Sequence, residues 1–254
     1  MEKNQIKYNH NTMEKESQNI RIPKPIYHPS LIRRLQAPVI MKMLDPKKNN
    51  IILDAGCGNG FFSYKLAENC RCVGIDLKIS ENFSYSKRGS SNITYIKSDV
   101  RYMPFNAESF DKILLSSVLQ MVKNDERLLR ECYRILTKDG VLVLSIPLEY
   151  VYVKKLNKLK GELIKIFESK GKGFYGFEEI IRLLEEAGFE IIETEYAPKK
   201  LGSFLYEVKL YLCYLTGLSF YHPLIDDIIY PLAYCEKFSI NKIGNELIVK
   251  VRKN

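Results

Sequence analysis

Ile51-Ile-Leu-Asp-Ala-Gly-Cys-Gly-Asn-Gly60 is the stretch on which the fold turns. Ile51 to Leu53 form an apolar run of strand type, and Gly56, Gly58 and Gly60 follow as a turn where backbone can approach a ligand closely. Phe61, Phe62, Leu66 and Ala67 then mark a helical pattern, so the loop opens a helix N-terminus. A second apolar run, Cys72-Val-Gly-Ile-Asp76, ends in an acid 22 residues after Asp54. In a strand–helix–strand unit that separation brings a carboxylate to a ribose diol, so the segment reads as the site of a nucleoside-containing cofactor.

The glycine spacing narrows the choice. A dinucleotide loop asks for Gly-x-Gly-x-x-Gly/Ala, and counting from Gly56 the third small position is Phe61, which disfavours NAD. No Gly-x-x-x-x-Gly-Lys-Ser/Thr occurs, which excludes a nucleoside-triphosphate loop. Further strand candidates follow. Ile93 to Val100 contains Asp99 near its end, Lys112 to Ser117 forms a fourth apolar run, and Val141 to Pro147 a fifth. An amphipathic helix (Asp125 to Leu136) and the turn Thr137-Lys-Asp-Gly140 separate the last two. Any one of the acids alone reads equally as a helix cap or a solvated strand end. Three at successive strand ends beside a glycine loop read as a ligand site, because ligands of open α/β sheets gather at the carboxyl ends of strands.

The run Asp54-Ala-Gly-Cys-Gly-Asn-Gly60 resembles the first motif of class I S-adenosylmethionine-dependent methyltransferases. The order of elements from Asn50 to Pro147, with Arg101-Tyr-Met-Pro-Phe105 before the fourth strand, resembles the subgroup of the ubiquinone and menaquinone biosynthesis enzymes. The resemblance implies an α/β, Rossmann-like sheet of seven mostly parallel strands, the last antiparallel, with helices on both faces and helical lid insertions. It also implies S-adenosyl-L-methionine as cofactor. Carried over by position, Asp54, Ala55, Gly56, Cys57, Gly58 and Gly60 hold the methionine end. Asp76 and Leu77 take the ribose, Asp99 and Val100 the adenine, and Ser116 the side near the methyl group.

The catalytic base is where the resemblance breaks. Many relatives place a histidine in a Val-Leu-x-His-Val segment, and here Val118-Leu-Gln-Met-Val122 has Met121 at that position. A sulfonium methyl is already activated, so the protein must align the nucleophile and exclude water; only a hydroxyl acceptor also needs a base. Glu149, Tyr150 and His28 are the substitutes available, and a carbon or amine nucleophile needs less.

Composition sets the outer limits. A chain of 254 residues buries one α/β core, and it contains no apolar run of transmembrane length. The polar, acid-containing N-terminus does not read as a signal peptide, which makes the expected location cytoplasmic. Six cysteines without Cys-x-x-Cys pairing read as buried free thiols, and three histidines leave no basis for a metal centre. Residues 1–21 read as a flexible tail and 22–254 as a single domain.

Within that domain, 22–45 forms a helical flap that carries Tyr27, His28 and Arg33. Residues 148–173 form a helical insertion with seven Lys against three Glu, within a chain of net charge +9. Phe177 to Gly188 reads as a helix, Phe189 to Tyr196 as strand six, and Gly244 to Arg252 as the antiparallel last strand.

Residues 197–242 are an apolar, tyrosine-rich insertion interrupted by Glu207, Lys209, Asp226 and Asp227. Strand six ends on the cofactor side of the sheet, so this insertion begins there. It points to a small or lipid-like hydrophobic acceptor, or to contact with a membrane surface. Two alternatives remain beside that reading. The basic balance allows an RNA acceptor, although the greasy insertion does not resemble a nucleic-acid stacking platform. The missing histidine allows a non-catalytic, cofactor-binding partner subunit. The oligomeric state is not legible.

Overall fold

The computed structural model describes residues 30–79, 91–148, 173–218, 222–235 and 243–254. Its strands are β1 (Ile51–Ala55), β2 (Arg71–Asp76), β3 (Ile93–Lys97), β4 (Phe110–Ser116), β5 (Leu136–Pro147), β6 (Phe189–Tyr196) and β7 (Glu246–Lys253). They form one sheet in the order β3-β2-β1-β4-β5-β7-β6. The first five pair in parallel, while β7 runs antiparallel to both β5 and β6. The chain winds outward from β1 to β3, then restarts at β4 on the other side of β1. That reversal opens a crevice at the carboxyl ends of β1 and β4, the usual ligand position in such sheets.

Six α-helices occur among the described residues: α1 (Leu31–Leu44), α2 (Phe61–Ala67), α3 (Asp125–Ile135), α4 (Phe177–Glu186), α5 (Lys200–Thr216) and α6 (Pro223–Tyr234). Asn124 caps α3 by accepting the Arg127 N–H, and Asp125 and Glu126 complement the dipole of its first turn. Leu128, Leu129, Cys132 and Ile135 form its buried stripe. Gly188, at φ 95°, reverses the chain after α4 in a conformation that a side chain would strain.

The sheet carries a core on each face. Leu53, Ile113, Leu115, Leu142, Leu144 and Leu247 pack with α3 and α4, whereas Ile52, Leu114, Val143 and Ile248 pack with α1 and α2. This alternation between neighbouring residues follows from the two-residue period of a strand.

Three local expectations are corrected. Thr137 to Gly140 is a turn in sequence, yet β5 runs through it: Leu136 pairs with Phe110 and Val141 with Lys112. The four residues between are an excursion within the strand, with Asp139 at φ 60°. β3 stops at Lys97, so Asp99 lies in the turn beyond it, where its carbonyl accepts the Tyr102 N–H at 2.9 Å. Five cysteines are buried and free, but Cys235 is exposed at the end of α6.

The long insertion after β6 folds as α5 and α6. Leu31 and Leu35 of α1 pack against Ala233 of α6, with Leu205, Tyr206, Ile229 and Tyr230 around them. No helix among the described residues is long and apolar enough to cross a membrane.

Candidate functional site

The loop after β1 is held by backbone before any ligand is considered. Gly56 and Cys57 both donate N–H to the Ile75 carbonyl, at 2.8 and 2.9 Å, which ties the loop to the end of β2. Gly56, Gly58 and Gly60 all have positive φ, at 74°, 56° and 81°. A Cβ on Gly56 would stand 2.5 Å from a methyl of Val118, so β4's continuation packs directly on the turn. A Cβ on Gly58 would meet only the tip of Arg33 at 3.6 Å. The loop is thus packed on one side and open to a guanidinium on the other.

Asp54 is 1 % exposed and accepts the Ser63 hydroxyl at 2.6 Å. Burial pushes its carboxyl up to about 6, opposed by the Ser63 hydrogen bond and the positive charge of Arg33. It lies beneath the glycine turn, where its charge acts on the loop from below. Asp76 lies at the end of β2 and accepts two backbone N–H groups at 3.0 Å each, from Gly58 and from Lys78. Each carboxylate oxygen keeps a further lone pair. The neighbouring Leu77 is exposed.

Asp99 sits beside this pair, because Ser98 N–H donates to the Asp76 carbonyl at 3.0 Å. The Arg101 guanidinium grips both of its oxygens, with Nη2 to Oδ2 at 2.6 Å and Nε to Oδ1 at 3.0 Å. That grip holds the Asp99 carboxyl below the usual carboxylate range. Val100 buries its side chain in the core, so only its backbone is available to a ligand. Ala55 and Cys57 are likewise buried. Burial pushes the Cys57 thiol far up, so it stays protonated.

Two residues beyond Leu114 and Val143, Ser116 and Ser145 project to the α1 side, where their hydroxyls meet at 3.2 Å. Further along that side Gln36 Nε2 donates to Glu246 at 2.9 Å. Burial raises the Glu246 carboxyl to about 8. The Oε1 atoms of Gln36 and Gln120 are buried with no hydrogen-bond partner among the described residues. Met121 is half-buried in a short 3-10 turn, Leu119–Met121, directly after β4.

The structure therefore gathers Asp54, Gly56, Gly58, Gly60, Asp76, Asp99 and Ser116 at the carboxyl ends of β1 to β4. Glu149, Tyr150 and His28 lie outside the described residues. No cluster of His, Cys, Asp or Glu able to hold a metal occurs among the described residues.

Sequence reasoning gave Arg33 only a loose place on the flap. In the structure its Nη1 donates to Asn59 at 3.2 Å, directly over the glycine turn. The signal was an Arg33-Arg34 pair between buried Leu31 and Leu35, a pattern that is usually solvent-facing. Gln36 and Glu246 were missed outright, since nothing in a strand-start glutamate or a helical glutamine marks a buried pair.

The "Methyltransferase domain" family model matches residues 53–144, from β1 through most of β5. Over those residues the chain carries a methyltransferase domain, and its fold is that of class I S-adenosylmethionine-dependent methyltransferases. Demethylmenaquinone methyltransferase of Geobacillus kaustophilus is 26% identical over 190 residues, covering 64% of this chain and 80% of that protein. Among solved structures, an S-adenosylmethionine-dependent methyltransferase from Mesorhizobium loti superposes with a TM-score of 0.59 at 19% identity, covering 86% of this chain and 98% of its own. The 4+2 cyclase SpnF superposes with a TM-score of 0.62 at 19% identity, covering 91% and 88%. At such identities the two structures establish the fold alone.

Proposed function

We propose that this enzyme transfers the methyl group of S-adenosylmethionine to a small or lipid-like hydrophobic acceptor. The observation that carries the reading is positional. The hydrophobic two-helix insertion packs on the first turns of α1, and Arg33 of that segment reaches Asn59 of the glycine loop that, with the acids, forms the cofactor crevice.

The residues present fit the cofactor. Gly58 leaves its surroundings open to all but the Arg33 guanidinium, which suits the carboxylate of the methionine end. Asp76 retains lone pairs for the two ribose hydroxyls, and Leu77 offers an exposed apolar side chain beside them. Asp99 and the Val100 N–H serve the adenine edge, with Arg101 fixing the carboxylate. Asp54 acts from beneath the loop, as a buried charge that favours the ammonium of the methionine end. The bound group supplies an activated methyl; the chain's own residues orient the partners and keep water out.

On the acceptor side, Leu35, Pro38 and Val39 of α1, Ala197 after β6, and Ala233 of α6 line a mostly apolar cleft that Glu195 and Lys199 also border. Demethylmenaquinone methyltransferase acts, by its name, on a quinone-related acceptor, which agrees with such a lining. Outside that lining, the buried amide oxygens of Gln36 and Gln120, without a hydrogen-bond partner among the described residues, are further polar points available to an acceptor. Ser116 and Ser145 mark the floor near the transferring methyl.

Incubating the enzyme with methyl-labelled S-adenosylmethionine and fractionated cell extract tests the assignment. Label entering a lipid-soluble fraction supports it. Label confined to RNA, lost steeply with rising salt, would replace it with a nucleic-acid acceptor. Cofactor binding with no labelled product in any fraction would assign the chain a non-catalytic role.

A further inference from the structure

We propose that the outward face of α5 and α6 docks on an anionic lipid bilayer, laying the helical hairpin in the membrane interface beside the active-site crevice. The hairpin is built inside out for a surface element. Glu207, Lys209 and Asp226 are 5%, 1% and 2% exposed, and Lys209 and Asp226 form an ion pair within the packing. The side chains facing outward are apolar instead. On α5 these are Leu201, Phe204, Leu212 and Leu215, at 46%, 45%, 49% and 60% exposure. On α6 they are Leu224, Ile228 and Leu232, at 68%, 71% and 58%.

The spacing makes each set a stripe. At about 100° per residue, the four α5 positions fall within an arc of about 80°, opposite buried Ser203, Glu207 and Cys213, and the three α6 positions do the same opposite Asp226 and Ala233. Scattered surface leucines need no explanation, but two stripes on adjoining helices that turn Glu207, Lys209 and Asp226 inward, and leave Asp227 exposed in its pair with Arg34, do. Neither helix is long or apolar enough to cross a bilayer, so the geometry is that of helices lying in the interface.

Charge selects the occupant. The chain carries +9, which repels a second copy and attracts an anionic surface. Lys200 is exposed immediately before the first outward leucine. β5 also ends at the carboxyl edge, and the segment that leaves it, from Leu148 to Lys172, bears seven Lys against three Glu. Apolar stripes on a chain of net positive charge are complementary to an anionic headgroup layer over hydrocarbon.

The placement has a functional consequence, which rests on the acceptor reading above, although the docking itself does not. The hairpin holds the first turn of α1, and Arg33 of that turn stands over the glycine loop. A lipid-like acceptor dissolved in the bilayer would therefore approach the crevice without crossing water.

The test is sedimentation of the full chain with phosphatidylcholine vesicles, with and without phosphatidylglycerol. The comparison is the exposed-face variant Leu212→Glu/Leu215→Glu/Ile228→Glu. Wild type pelleting with the anionic vesicles, at least tenfold weaker partition of the triple variant, and unchanged cofactor affinity of that variant by calorimetry would support the proposal. Absence of pelleting, equal pelleting on neutral vesicles, or equal binding by the variant would overturn it. So would a wild-type dimer in light scattering that the variant abolishes without any vesicle binding. None of these readings depends on methyl transfer, so failure of the acceptor assignment leaves the docking result standing.

Discussion

Asp226 of α6 accepts the backbone N–H of Leu31, the first residue of α1, at 3.1 Å across 195 positions of sequence. The N-cap residue Ser30 makes no side-chain capping bond, so the cap is supplied by the distant insertion. Arg34 reinforces the junction through Asp227 at 2.6 Å and by lying 3.9 Å from the Tyr230 ring centroid. Because Lys209 is buried against Asp226, removing one partner leaves the other charged and desolvated. Asp226→Ala should cost about 3–5 kcal/mol of stability, whereas Asp227→Ala, at an exposed pair, should cost under about 1 kcal/mol. Chemical denaturation of the two variants checks the contrast, and equal losses would mean that the cap does not depend on the buried carboxylate.

Arg33 lies within that capped turn, with its guanidinium at the glycine loop. Arg33→Ala should weaken cofactor binding at least tenfold with little loss of stability, since among the described residues the side chain's one direct hydrogen bond is to Asn59 at 3.2 Å. The loss should fall mainly on ligands bearing the methionyl carboxylate. Calorimetry with S-adenosylmethionine and with methylthioadenosine, which lacks that end, measures it. Equal weakening of both would place Arg33 elsewhere.

Asp76 is the other half of the cofactor reading. Its two backbone hydrogen bonds join the glycine turn to the residues after β2 and leave lone pairs for the proposed ribose contact. Asp76→Ala should abolish measurable cofactor binding while thermal melting shows a folded protein. Affinity close to wild type would refute the ribose assignment.

How much of this could be read from the chain alone depends on where each signal sits. The glycine loop, the acids at the ends of the first two strands and the antiparallel last strand were legible because strand runs and glycine turns are local patterns. Even the exit of β6 on the cofactor side followed from counting directions. The interior of the insertion was not legible. Glu207, Lys209 and Asp226 look like solvent-facing breaks in an apolar run, and they are buried because their partners come from another helix or from the end of α1. Gln36 meets Glu246 across 210 positions, a contact that no periodicity encodes. Asp99 was expected at a strand end facing adenine, while the structure adds a neighbour two residues away that takes both its oxygens.

Two neighbouring glycines separate conformational strain from steric exclusion. Gly56→Ala combines a positive φ of 74° with a Cβ placed 2.5 Å from Val118, so both backbone and packing must move. Gly58→Ala has the strain of φ 56° but meets only the flexible end of Arg33. The first should destabilise the fold by several kcal/mol, and the second by about 1 kcal/mol, the usual order for a left-handed non-glycine residue. The second should nevertheless impair cofactor affinity, because the new methyl occupies the open side of the loop. Melting curves and calorimetry on both variants give the four numbers needed. A Gly58→Ala protein that binds normally would mean that the cofactor does not approach there.

Glu246 supplies a pH-dependent test. Burial raises its carboxyl from 4.5 to about 8, with the Gln36 hydrogen bond opposing the shift. The folded protein therefore holds this proton more tightly than the unfolded chain does. Folding is unpenalised at this site below about pH 4.5, and stability falls as pH rises from there through 8, where the buried group must ionise. Asp54, raised to about 6, adds a contribution of the same sign that is complete at lower pH. Glu246→Gln keeps a carbonyl oxygen for Gln36 and removes the titration. Its melting temperature should match wild type near pH 4 to 5 and exceed it progressively toward pH 8.5. Parallel curves across that range would show that the Glu246 carboxylate ionises in the fold without cost, and would remove the buried-acid description of this end of β7.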